Sequence, residues 1–271
     1  MSQANQDLLV DFDGPITWIT LNRPAKRNAL THGMFEILRS TLESEKTSAS
    51  KVIVIRGAGG NFSAGHDLSS DSVEVNEPGD SIDDLNRQRF YLDTFFQIFD
   101  HPKPVIAAVD GYCIAGATQI LPFCDFVVTT ETAAISGSPM MPLGGGFITP
   151  LLAFKIGISR AKLLSFIPGK SISGKEAVEW GLAVQSVPAE DLIATVKSLA
   201  LEIARTPTSV LSLKKMAINR TLEAQGFRDY AYAGAETDVI VHGIKEVNDY
   251  KNLIAKDGLQ VTIARFKAGE I

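Results

Sequence analysis

Asn61-Phe-Ser-Ala-Gly-His-Asp-Leu68 comes shortly after the β-branched run Val52-Ile-Val-Ile55, and Gly111-Tyr-Cys-Ile-Ala-Gly-Ala-Thr-Gln119 comes directly after Val105-Ile-Ala-Ala-Val109. Each run reads as a buried strand, and each stretch places small residues where a helix is expected to begin. Backbone N–H groups at a helix start have no acceptor within the helix, and Ala64, Gly65, Ala115, Gly116 and Ala117 leave them unshielded. Two such amides, one from each stretch, can converge on a single carbonyl oxygen and stabilise the negative charge that develops on it. The same small residues also serve close packing at a tight strand-to-helix turn.

A chain of 271 residues is long enough to bury a substantial core as one large α/β unit, or as one unit with an appended segment. Its 45% hydrophobic and 21% charged residues and its net charge of −5 are those of a globular protein and give no support to nucleic-acid binding. Cys113 and Cys124 lie in apolar surroundings and read as buried thiols of a reducing compartment. Met1 to Asp7 is polar, no run reaches membrane-spanning length, and Lys267-Ala-Gly-Glu-Ile271 is no peroxisomal address, so the expected location is the cytoplasm.

Leu8–Phe12 and Ile16–Leu21 alternate around Asp13-Gly14-Pro15 as a hairpin does. Gly33 to Glu45 carries Met34, Ile37, Leu38 and Leu42 at helical spacing, Val52 to Ile55 is a strand, and Ser69 to Ser81 is a polar loop. Ile82 to Phe99 is an aromatic-rich helix stopped by Pro102 and Pro104. The pattern then predicts a helix over Thr118–Cys124, a strand over Phe126–Thr129 and a helix over Thr149–Ile156. From Arg160 onward it is nearly all helical, over 160–167, 174–180, 189–203, 207–225 and 229–271. A mixed sheet therefore precedes a helical C-terminal part, without an internal repeat.

Four segments follow one another along this plan: Arg23-Pro-Ala-Lys-Arg-Asn-Ala-Leu30, Phe62-Ser-Ala-Gly-His-Asp-Leu68, Pro104-Val-Ile-Ala-Ala-Val-Asp-Gly111 and Gly174-Lys-Glu-Ala-Val-Glu-Trp-Gly-Leu182 with Val184 and Val187. On them the chain resembles the crotonase (enoyl-CoA hydratase/isomerase) superfamily over nearly its full length. They are similar to its RP-x-x-x-NAL, F-x-AG-x-D-[LI], PVIAAV-x-G and A-x-x-x-GL-V-x-x-V motifs. The resemblance implies a spiral of ββα units over residues 1–200 that binds an acyl-CoA thioester. It further implies a helical oligomerisation region over 201–271 and assembly as a homotrimer or as a hexamer of paired trimers. Coenzyme A would enter as part of the substrate, with no permanently bound cofactor. The implied oxyanion hole is the pair of backbone amides of Ala64 and Gly116. Implied coenzyme A contacts are Lys26, Arg27, Ala29, Ala64, Gly65, His66, Asp67 and Leu68, with Phe266 or Lys267 of the partner subunit.

The hydratases of that family use two glutamates as acid and base, and this chain has Gln119 at the first position and Met140 at the second. An amide orients water but takes no proton. From Thr132 through Lys175 there is no Asp, Glu or His, so that wall of the pocket supplies no carboxylate or imidazole from its own sequence. Candidate acids and bases elsewhere are Asp71, Glu74, Asp80, Asp83, Asp84 and Asp93, and His66 beside the small residues. Tyr91 and Tyr112 read either as hydrogen-bond donors or as core aromatics. Met140, Met141 and Phe147 suit an apolar acyl pocket or plain core. His32, His101 and His242 show no metal-ligand spacing, and no metal is expected. Two readings result: an enzyme that polarises an acyl-CoA carbonyl without acting as a standard hydratase, and a protein that binds acyl-CoA without transforming it.

Overall fold

The computed structural model describes residues 7–69, 80–144 and 148–271, with the backbone alone for 148–150. Asp71, Glu74, Gly145, Gly146 and Phe147 lie outside the described residues. The hairpin forms as its alternation predicts: β1 (Leu8–Asp13) pairs antiparallel with β2 (Ile16–Leu21) across Gly14, whose φ of +58° suits glycine. Strand β2 then runs parallel to β3 (Val52–Gly57), β3 to β4 (Val105–Val109), β4 to β6 (Phe126–Thr130), and β6 to β8 (Gln185–Val187). The six-stranded order is β1-β2-β3-β4-β6-β8.

Helices cover both faces of this sheet, so its strands are continuously apolar. Helices α3 (Ile148–Ile156), α4 (Ile158–Phe166) and α5 (Gly174–Glu179) precede α6 (Leu192–Ile203), which Val52 and Val54 face through Leu192, Val196 and Ala200. Ile53 and Ile55, alternating with them, join the cluster of Met34, Phe35, Leu38 and Leu42 from α1 (His32–Glu45) and Leu92, Phe95 and Phe99 from α2 (Ser81–Phe99). Asp80 accepts from the Ile82 and Asp83 amides, which makes it the N-cap of α2, with Asp83 completing the capping box.

A short extended segment follows each of three long strands and pairs outside the six-stranded sheet. Residues 62–67 follow β3, β5 (Tyr112–Ile114) follows β4, and β7 (Ala134–Ser136) follows β6. β5 and β7 pair in parallel, and Ser63 bridges to Cys113. The chain is therefore the expected spiral of ββα units. The predicted helix over 118–124 starts earlier, as a 3₁₀ helix Ala115–Phe123, because Pro122 and the small residues favour the tighter turn.

The C-terminal part comprises α7 (Thr208–Ala224), α8 (Phe227–His242), α9 (Lys245–Asp257) and α10 (Leu259–Lys267). The expected division after residue 200 falls within α6, whose Ala200 packs under the sheet. This part also folds onto its own core: Phe227, Ala231 and Ala235 join the main cluster. Phe266 packs on Tyr250, in a cluster with Leu68, Met141 and Leu143. Among the described residues no helix is long and apolar enough to cross a membrane.

The remaining buried charges fasten elements together. Glu45 at the end of α1 accepts from Thr17, Ser48 and Ser50 at 2.6–2.8 Å, with the Lys103 ammonium at 3.7 Å. Burial opposes its ionisation, but these donors and Lys103 outweigh burial and hold its carboxyl below the ordinary value of 4.5. The stability it adds is complete above that value and is lost as pH falls through the lower folded one. Glu45→Gln is expected to cost about 2 kcal/mol at neutral pH and to flatten the acid limb of the unfolding curve; an unchanged acid limb would remove this account. His101 points Nε2 at the Leu42 carbonyl at 3.0 Å, and burial drives its pKa down to about 4, so it is a neutral clamp between helices.

Candidate active site

The Arg23–Leu30 loop is held by its own polar side chains. Asn28, 0% exposed, donates from Nδ2 to the carbonyls of Ala58 and Asn61 at 2.8 and 2.7 Å, and its Oδ1 accepts from the Arg23 amide at 2.9 Å. Arg23 donates from Nη1 to the Ala29 carbonyl and to Asp67 Oδ2, both at 2.7 Å. Burial disfavours the Asp67 carboxylate, yet the Ser69 amide and the Arg23 guanidinium outweigh it and keep its pKa low. The acid of the F-x-AG-x-D-L segment is thus a tie to the arginine of the RP segment. Lys26 and Arg27 are exposed beside it, Arg27 with its guanidinium over the Tyr112 ring at 5.0 Å, while Ala29 is buried.

The structure corrects one residue of the expected oxyanion pair. The Ala64 amide donates to the Arg27 carbonyl at 2.9 Å, so it belongs to the loop contact and faces away from any ligand. Gly65, at φ +91°, then reverses the chain. The Gly65 carbonyl accepts from Leu30 and the Asp67 amide donates back to Leu30, at 2.8 and 2.9 Å. Because successive amides of an extended chain alternate in direction, the N–H of His66 between them points to the opposite side. That side is where β5 turns into the 3₁₀ helix: a Cβ on Gly65 would stand 2.7 Å from the Ile114 oxygen and 3.2 Å from the Gly116 nitrogen.

The turn into the 3₁₀ helix is made by Ala115 at φ +51°, one of three non-glycine residues with positive φ among those described; the others are Arg27 and Asn28. All three border the same site. Gly116 is the second residue of the helix, so its N–H has no acceptor earlier in the helix and lies at the positive end of the dipole. Thr118 Oγ1 fixes that end, 2.8 Å from the Cys113 carbonyl and 2.7 Å from that of Ser136. A left-handed alanine costs roughly 1–2 kcal/mol, so Ala115→Gly is expected to gain up to about 1 kcal/mol after the added unfolded-state entropy. A lower melting temperature would show that the alanine conformation carries no strain.

Residues three apart eclipse in a 3₁₀ helix, which places Gln119 on the face of Gly116. Gln119 is 3% exposed, and its Oε1 has no hydrogen-bond partner among the described residues. The His66 imidazole lies over Gly116, with Nε2 2.6 Å from where a Cβ would be. Its ring is held by Phe35 at 5.8 Å and by Tyr91 at 5.2 Å, and the Tyr91 hydroxyl is 3.4 Å from His32 Nδ1. Tyr91 is therefore buried beside the site, whereas Tyr112 is exposed.

The other candidates are distributed differently. Met140 packs against Gly169, Met141 and Leu143 pack with Leu68, and Asp93 accepts from the Tyr232 hydroxyl at 2.6 Å. Asp80 and Asp83 cap α2 at the surface. Asp84 is buried and paired with His242, 158 positions away in sequence. Both thiols are buried, and burial pushes Cys113 and Cys124 up to about 12, which leaves them unreactive. Sequence reading missed Asn28 and His242. The αL-compatible Asn before Ala-Leu was the available signal for the first, and His242 had none.

Comparison with known proteins agrees with this fold. The family model described as enoyl-CoA hydratase/isomerase matches residues 11–247. The chain is 34% identical to 1,2-epoxyphenylacetyl-CoA isomerase of Escherichia coli K12, over 80% of this chain and 85% of that protein. It is also 34% identical to the 2,3-dehydroadipyl-CoA hydratase of the same organism, over 80% and 83%. A crystal structure of an enoyl-CoA hydratase/isomerase from Xanthobacter autotrophicus Py2 superposes with a TM-score of 0.89 at 28% identity, covering 96% of this chain and 97% of that one. A spiral of ββα units with paired small-residue junctions, matched along most of its length in sequence and in fold, makes this chain a member of the enoyl-CoA hydratase/isomerase family.

Proposed function

We propose that the chain binds an acyl-CoA thioester and stabilises the enolate formed from it, with the backbone amides of His66 and Gly116 as the two donors. The observation that carries this reading is the approach of Gly65 to Gly116, where a Cβ on Gly65 would stand 3.2 Å from the Gly116 nitrogen; the amide of residue 66, on the side away from Leu30, would then lie beside the N-terminal amide of the 3₁₀ helix. Charge developing on the thioester oxygen would meet both donors and the helix dipole in a site closed by the His66, Phe35 and Tyr91 rings. Gln119 would orient water or a polar substrate group there, and Lys26 and Arg27, exposed on the loop, would meet the coenzyme phosphates. The activities named for the two Escherichia coli relatives support chemistry at an acyl-CoA. With Gln119 and Met140 at the two glutamate positions, the reaction proposed is not standard hydration.

The test is proton exchange at the carbon next to the thioester carbonyl, followed by mass spectrometry in deuterated water with a panel of acyl-CoA thioesters. Mass gain with at least one of them is expected. Calorimetric binding without exchange across the panel would instead favour the second reading, a binding protein, for which the non-titratable Gln119 and Met140 speak. Assembly into trimers or hexamers is proposed alongside, on the exposed apolar Val210, Leu213, Met216 and Ile218 of α7; a monomer in light scattering would remove it.

A further inference from the structure

Thr20, Arg56 and Ala108 stand side by side across β2, β3 and β4, near the carboxyl ends of the strands. Alternation with Ile55 puts Arg56 on the same face as Val52 and Val54, the one that α6 covers. The row borders a cavity of about 330 Å³, whose other walls are the loop 57–60, Asp110, and Ala189, Leu192 and Ile193 at the start of α6. That volume, at the lower end of the range for ligand sites, suits a small molecule. Among the described residues none of 61–68 or 111–119 lines it, so it is separate from the small-residue junctions.

Two charged groups of opposite sign face this cavity without pairing with each other. Arg56 Nε donates to Thr20 Oγ1 at 3.0 Å, and its guanidinium lies over the Trp18 ring at 4.8 Å. These contacts hold the side chain but leave its charge unmet, since among the described residues no carboxylate pairs with it. Ala108, its neighbour on β4, is too small to cover it. Asp110 accepts at Oδ1 from the Gly111 amide at 2.8 Å and from Thr130 Oγ1 at 3.1 Å, whereas Oδ2 accepts from no group among the described residues. A Cβ on Gly60 would meet only that oxygen within 4 Å, at 3.9 Å, so the loop leaves it uncovered. An anion alone would satisfy Arg56 and meet the Asp110 carboxylate, and a cation alone would do the reverse. Only an occupant with both signs balances the site. Leu192 and Ile193 make the wall at the start of α6 apolar.

We infer that this cavity binds a small zwitterion with an apolar side chain, an aliphatic α-amino acid. Its carboxylate would lie on the guanidinium fork of Arg56, its ammonium would donate to Asp110 Oδ2, and its side chain would cover Leu192 and Ile193. The inference does not depend on the acyl-CoA reading, because no residue proposed there to meet the thioester or the coenzyme takes part. A solvated arginine stacked on Trp18, with no ligand, is the alternative that the experiment separates.

Calorimetry on the full chain is the test, with leucine, isoleucine and valine each measured beside its deamino acid and its carboxamide, analogues that lack one of the two charges. At least one amino acid is expected to bind with a Kd below about 1 mM, about tenfold or more tighter than either of its analogues. Arg56→Gln should weaken that binding by about tenfold or more, since the charge and the fork are both lost. Asp110→Asn, which keeps the Oδ1 acceptor for Gly111 and Thr130, should leave the amino acid bound no more tightly than its deamino acid. Absence of binding by all three at about 10 mM would overturn the inference, as would analogues that bind as well as the amino acid itself. Both comparisons are made on the wild type and need no variant. Undiminished binding by a folded Arg56→Gln protein would also overturn it, since the ligand would then lie elsewhere. None of these outcomes touches thioester binding, so the acyl-CoA reading is judged separately.

Discussion

Gly116→Pro is expected to lose about 10²- to 10³-fold more proton exchange than Gly116→Ala, because removing one donor of a preorganised oxyanion pair has an effect of that size. The comparison between the two variants isolates the amide. Both add a Cβ against the His66 ring, at the position 2.6 Å from Nε2, and both therefore push the same flexible side chain. Proline alone removes the N–H; it also disfavours the φ of +51° at the preceding Ala115, so exchange is compared where both proteins retain their fold and coenzyme binding. Binding of the coenzyme portion should survive in both. Equal exchange rates for the proline and alanine proteins would place the oxyanion away from Gly116.

Asn28→Ala is expected to have the largest effect on stability, about 3–5 kcal/mol. The side chain is inaccessible to water and makes three hydrogen bonds, so its removal strands the Ala58 and Asn61 carbonyls and the Arg23 amide. Alanine must also adopt the φ of +54° that asparagine tolerates. At roughly 2–4 °C per kcal/mol for a chain of this size, the melting temperature should fall by about 10 °C. Asn28→Gly, which accepts the backbone conformation but makes none of the bonds, separates the two causes. If the glycine protein melts with the wild type, the hydrogen bonds are not what holds the loop. Because Arg27 follows the same left-handed turn and receives the Ala64 amide, a loosened loop should also lower exchange below the melting range.

The strand runs, the hairpin and most helices were legible because their patterns are local: period two or continuous apolarity for strands, three to four residues for helices, and Gly or Pro at the ends. Less legible were β5 and β7. Three residues each carry too little periodicity, and only their pairing with each other makes them strands. The small-residue junctions were legible as a pair of amide clusters. Which amide of the first cluster faces outward was not, since the choice between residues 64 and 66 depends on the reversal at Gly65 and on the Arg27 carbonyl that captures Ala64.

The amino-acid sequence by itself determined the architecture, the family, the helix-start amide at Gly116 and the absence of both expected glutamates, because each of these is written in residue types at short spacing. The tertiary structure alone decided that the Ala64 amide is taken up by the Arg27 carbonyl, that Asp67 serves Arg23, and that the C-terminal helices turn onto their own chain. It alone also brought His242 to Asp84. These depend on groups far apart along the chain, joined by hydrogen bonds whose direction is set by backbone alternation and packing, and no local pattern records a direction.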